Sequence, residues 1–169
     1  MITTKKYFPA IGTRVEVALQ RRDRCSDHFV VLAKAGGTYK WHFGQASSDK
    51  MVKIAFNCDQ LEIYNSEKLP AASLDCQWSE GSSPKNTVLY IESTPTKINV
   101  KVTGGSCPKN KILSVDSPWA SEASKTTGEG PQMVVGIGAS QDNPADFNNL
   151  GHPKWSRFNK LSIQSGPVG

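Results

Sequence analysis

At 169 residues, 37% of them hydrophobic and 21% charged, the chain has the length and composition of a globular domain and not of a disordered segment. No apolar run approaches the ~18 residues that cross a bilayer as a helix. The net charge of +5 gathers in two stretches, with six basic against two acidic side chains in 1–24 and six against three in 84–125. Neither has the dense, aromatic-interleaved basic face of a nucleic-acid site, so no nucleic-acid partner is expected.

The N-terminal "MITTKKYFPAIG" has two lysines with no apolar stretch behind them, so no signal peptide is expected in this chain. It would be cytoplasmic, or exported after processing. "TRVEVALQ" follows, with Val15, Val17 and Leu19 on one side and Arg14 and Glu16 on the other, the alternation of a half-buried strand. "HFVVLAKAGGTYKWHF" predicts two strands around Ala35, Gly36 and Gly37, with Tyr39, Trp41 and Phe43 sharing a core-facing side. "MVKIAFNCDQLEIYN" predicts a second hairpin, turning at 57–60. "TVLYIESTPTKINVKV" predicts a third, turning near 93–96, where Pro95 suits a turn and not a central strand.

The stretch "SEGSSPKN" reads as an exposed loop, and so does "SEASKTTGEGP". "KILSV", "PQMVVGIG" and "FNKLSIQ" predict further strands, and "SPWASEASK" one helical turn with Ser117 as its cap before Pro118. Roughly ten short strands at regular spacing, with no crossover helix between them, predict an antiparallel β-sandwich. We expect it to be jelly-roll-like, in a single domain over 1–169.

The four cysteines, Cys25, Cys58, Cys76 and Cys107, lie far apart and without zinc spacing. Two bridges in three connectivities are open, as are four thiols; a chain of this length does not need bridges, which favours thiols. His28, His42 and His152 make no metal motif, and no G-x-S-x-G occurs. Cys25 with His28 lacks any local support as an activated pair. "GIGASQ" imitates a dinucleotide loop, but Pro144 leaves no helix to open there. Glu62, Glu92 and Asp116 are scattered, so no acid pair for a hydrolase is visible. The expectation is a protein that is not an enzyme.

The loop "QDNPADFNNLGHPKW", 141–155, crowds acidic and amide side chains between two strands. Calcium takes six to eight oxygen ligands, and Asp142, Asp146, Asn148 and Asn149 supply that type within eight residues. The same composition serves a set of turns, because Asp and Asn bond nearby backbone N–H groups. The loop resembles the calcium-dependent sugar-binding loops of some bacterial jelly-roll lectins over about a dozen residues. The resemblance implies Asp142, Asp146, Asn148 and Asn149 as metal ligands. Pro144, His152 and Pro153 depart from the pattern.

Trp78, Trp119 and Trp155 stand at loop edges beside Ser, Pro and Lys, where tryptophan commonly meets a sugar face, a partner or a membrane, or else covers the core. Lys154 and Arg157 flank Trp155 and suit an anionic ligand as well as a neutral one. The sequence therefore points to a carbohydrate-binding, lectin-like module. Trp155, Trp119, Trp78, Asn149 and His152 are its ligand-binding candidates and calcium its cofactor. The alternative is a toxin, effector or assembly component that binds a protein partner or membrane surface; a homo-oligomer is compatible with both.

Overall fold

The computed structural model describes residues 2–21, 27–35, 50–56, 60–65, 69–76, 85–104, 107–108, 110–122, 130–140 and 156–165. In chain order the strands are β1 (Ile2–Thr3), β2 (Phe8–Pro9), β3 (Thr13–Arg21), β4 (Asp27–Lys34), β5 (Met51–Phe56), β6 (Gln60–Asn65), β7 (Ala72–Asp75), β8 (Lys85–Ser93), β9 (Lys97–Gly104), β10 (Ile112–Asp116), β11 (Gln132–Ser140) and β12 (Ser156–Ser165). One 3-10 turn at Ala120–Glu122 is the only helix among the described residues. No helix of the described residues is long and apolar enough to cross a membrane.

The strands form two antiparallel sheets. One has seven strands in the order β1-β11-β4-β5-β6-β7, with β2 also on β11; the other has five in the order β10-β9-β8-β3-β12. The fold is the expected antiparallel, jelly-roll-like β-sandwich. The expected hairpins β5–β6 and β8–β9 are present, and at the second turn Thr94 N donates to Lys97 O at 2.8 Å. β4 pairs with β5 on one edge and with β11 on the other. The predicted partner at 38–43 lies outside the described residues.

Alternation explains the core. In β9 burial switches at every residue from Lys97 to Thr103, so Ile98, Val100 and Val102 point inward while Lys97, Asn99 and Lys101 point out. Val15, Val17, Leu19, Leu89 and Ile91 join them from the five-stranded sheet. Val30, Leu32, Val52, Ile54, Phe56, Leu61, Ile63, Met133 and Val135 face them from the other. Each such side chain contributes about 1.5–3 kcal/mol on burial.

β5 breaks the alternation, being buried at all six positions. Its outward residues join a second apolar cluster of Phe29, Val31, Ala33, Met51, Ala55, Tyr64 and Val134 on the outer face of the seven-stranded sheet. Lys53 and Glu62 are buried on that face too. Tyr64 Oη donates to Glu62 Oε2, and Lys53 Nζ lies 4.9 Å from the Phe29 ring centroid.

Two expectations need correction. Cys76 and Cys107 are not thiols: they are bridged, with Cα atoms 4.3 Å apart. The bridge follows β7 of one sheet and β9 of the other, so it ties the two layers together; Cys25 and Cys58 lie outside the described residues. Trp119 is not at an exposed edge. It is 1% exposed, and its Nε1 donates to Ser93 Oγ at 3.4 Å. Ser93 Oγ in turn donates to Ala10 O, so the indole closes the end of the core and presents no face to a ligand. The local turn is as expected, with Trp119 N donating to the capping Ser117 Oγ at 3.3 Å. At the end of β9, Gly104 has φ +91, and a Cβ there would strike the Asn86 carbonyl oxygen, so only glycine closes this strand pair.

Candidate functional site

The same alternation that fills the core lays out a polar grid on the outer face of the five-stranded sheet. Pairing aligns Gln164, Arg14, Glu92, Asn99 and Ser114 in one row across β12, β3, β8, β9 and β10. The next row is Ser162, Glu16, Tyr90, Lys101 and Ile112. Directly opposed side chains in such a ladder have Cβ atoms about 5 Å apart, close enough to meet one ligand together. These rows, Ser114 excepted, line a groove of about 320 Å³ that reaches from Ser162 and Gln164 on β12 to Ile112 on β10.

The groove mixes solvated polar groups with two apolar surfaces. Tyr90 is 43% and Ile112 59% exposed. Ser114 Oγ donates to Asn99 Oδ1, and Lys160 Nζ pairs with Glu16 Oε1 at 3.2 Å. Among the described residues, Arg14, Tyr90, Glu92 and Lys101 make no side-chain hydrogen bond or ion pair. Their donors and acceptors are therefore spent on water, which a hydroxyl-rich ligand can replace bond for bond. Tyr90 adds a flat, exposed ring beside them.

Of the residues singled out in the sequence, Asp142, Asp146, Asn148, Asn149, His152, Trp155 and Trp78 lie outside the described residues, as do Cys25 and His42. Among the described residues, no three His, Cys, Asp or Glu side chains are grouped to hold a metal ion. His28 is buried, its ring 6.2 Å from that of Phe158, so it acts as an inter-sheet contact. The three carboxylates read as scattered are indeed apart. Glu92 lines the groove, Glu62 is buried on the opposite outer face, and Asp116 pairs with Lys97 at 2.6 Å.

Sequence reasoning missed Arg14, Glu16, Tyr90 and Lys101 as site residues. The local signal was Tyr90, an aromatic at the outward position of "TVLYIES", between inward Leu89 and Ile91.

No family model matches the sequence, and no curated protein matches it. Solved structures match its fold. One is the metal-free form of lectin I-B4 from Griffonia simplicifolia, at TM-score 0.60 and 10% identity, covering 96% of this chain and 78% of the lectin. Another is the basic winged bean lectin with Tn-antigen, at TM-score 0.55 and 9% identity, covering 98% of this chain and 79% of the lectin. A third is the alginate lyase A1-II′, at TM-score 0.51 and 12% identity, covering 96% of this chain and 66% of the lyase. This chain is thus similar in fold to lectins and to a polysaccharide lyase.

Proposed function

We propose that the protein is a non-enzymatic carbohydrate-recognition module whose ligand lies in the groove on the outer face of the five-stranded sheet. The observation that carries the reading is the set of polar side chains around exposed Tyr90 that, among the described residues, have no partner. The lectins among the structures of this fold support the same ligand class. Tyr90 stacks on a sugar ring, Arg14 and Lys101 donate to hydroxyl oxygens, and Glu92 accepts from hydroxyl groups. Among the described residues Glu16 and Glu92 are the only carboxylates along the groove, and both are half-exposed. A glycosidase acid is instead set against an apolar wall that keeps it protonated, which favours binding without cleavage.

The loop 141–155 enters this reading through its chemistry alone, as a second, calcium-assisted candidate with Asp142, Asp146, Asn148 and Asn149 as ligands. Calcium at ~100 times its dissociation constant would add about 2.7 kcal/mol to stability. That is a rise in Tm of several degrees for a domain of this size.

A glycan array run with and without chelator tests the whole proposal. Binding that survives chelation and is lost in Tyr90→Ala places recognition in the groove. Binding lost on chelation, together with a calcium-raised Tm, places it in the loop. An array blank in both conditions overturns carbohydrate recognition. New reducing ends on incubation with polysaccharides would overturn the non-enzymatic reading.

A further inference from the structure

Resting on that reading of the groove, we infer that it takes an internal stretch of about four units of a linear, neutral polysaccharide, and not a terminal sugar. Length is the first argument. The lining runs from Ser162 on β12 to Ile112 on β10, across all five strands. Four intervals of ~4.8 Å give a floor of roughly 19 Å, about four pyranose rings end to end.

The ends are the second argument. β10 and β12 are the two outer strands of their sheet, so among the described strands none lies beyond either end to stop a chain. A site for a terminal sugar closes around one ring; among the described residues, this one continues off both edges.

Spacing and charge supply the rest. The two exposed apolar surfaces, Tyr90 on β8 and Ile112 on β10, stand two strands apart in one row. That is roughly 10 Å, the separation of alternate units in an extended chain. The lining carries both signs, Arg14 and Lys101 beside Glu16 and Glu92, and Glu16 is already paired with Lys160. A neutral hydroxyl both donates and accepts, so it satisfies either sign. An anionic chain would set its carboxylates against Glu92, which among the described residues has no cation paired to it.

The test is isothermal titration calorimetry with β-1,4-linked gluco-, manno- and xylo-oligosaccharides of one to six units, with galacturonate oligomers of the same lengths as the charged series. At least one neutral series should gain about 100-fold in affinity from monomer to tetramer and little beyond. Raising salt should leave that affinity unchanged, because no net charge is neutralised. Ile112→Ala should weaken the tetramer about tenfold and leave the dimer unaffected, whereas Tyr90→Ala should weaken every length. Both side chains are exposed, so both variants fold. A monomer that binds as tightly as the tetramer overturns the inference and leaves sugar binding standing. So does a galacturonate series that binds more tightly than every neutral one. Failure of every series here, beside a blank glycan array, overturns both.

Discussion

On the five-stranded sheet β9 alternates buried and exposed residue by residue, whereas on the seven-stranded sheet β5 is buried at all six positions. The two outer faces of one sandwich thus use their charged groups in opposite ways. On the seven-stranded sheet Lys53 and Glu62 are taken out of water, and Phe29 and Tyr64 supply a ring and a hydroxyl to them. Such groups hold structure, because a buried polar atom without a partner costs about 1–3 kcal/mol. On the five-stranded sheet Arg14, Glu92 and Lys101 stay solvated and, among the described residues, unpartnered. Side chains there are free to exchange water for a ligand at little cost to the fold. One outer face thus buries its charged groups, and the other, which carries the proposed site, leaves them to solvent.

An aromatic residue from each face puts that division to the test. Phe29→Ala removes a ring that is 5% exposed and should cost about 3–5 kcal/mol, as large-to-small changes in packed clusters do. Urea denaturation would read it as a lower midpoint at unchanged slope. A loss under 1 kcal/mol would mean that the second cluster contributes little and that the contrast between the faces is false.

The link between the layers comes next. Cys76 and Cys107 are separated by 31 residues, and closing a loop of that size should be worth about 3–4 kcal/mol through the unfolded chain. The double change Cys76→Ser and Cys107→Ser should lower stability by that order and leave sugar binding intact. Lost binding in a still-folded double variant would mean that the spacing of the sheets shapes the groove.

The smallest stability effect is expected at the groove itself. Tyr90→Ala should change unfolding free energy by no more than about 1 kcal/mol, the scale of one exposed cross-strand pair, while abolishing glycan binding. The reverse result, a large stability loss with binding retained, would exchange the roles assigned to the two faces.

Strand identity was legible in residues such as Val15, Val17 and Leu19. A period of two is a local property: the backbone turns each side chain to the opposite face of its neighbour, whatever the strand later pairs with. For the same reason the pairing of β5 with β6 and the turn at 93–96 could be read, and so could the Ser117 cap. The continuous burial of "MVKIAF" could be read as a strand, but its burial on both faces could not, since that depends on what covers each side. Trp119 shows the same limit. Its neighbours Ser117 and Pro118 suggest an edge, and only the packing of two sheets decides that it plugs the core through Ser93.

The bridge between Cys76 and Cys107 and the groove are non-local in a stronger sense. Arg14, Tyr90, Lys101 and Ser162 come from four strands spread along the chain, and they meet because β3 pairs with both β8 and β12. By itself the sequence determined which side chains share a face of each strand. Only the tertiary structure decided which of them become neighbours, because strand order is chosen by burying the inward faces together and carries the outward ones along.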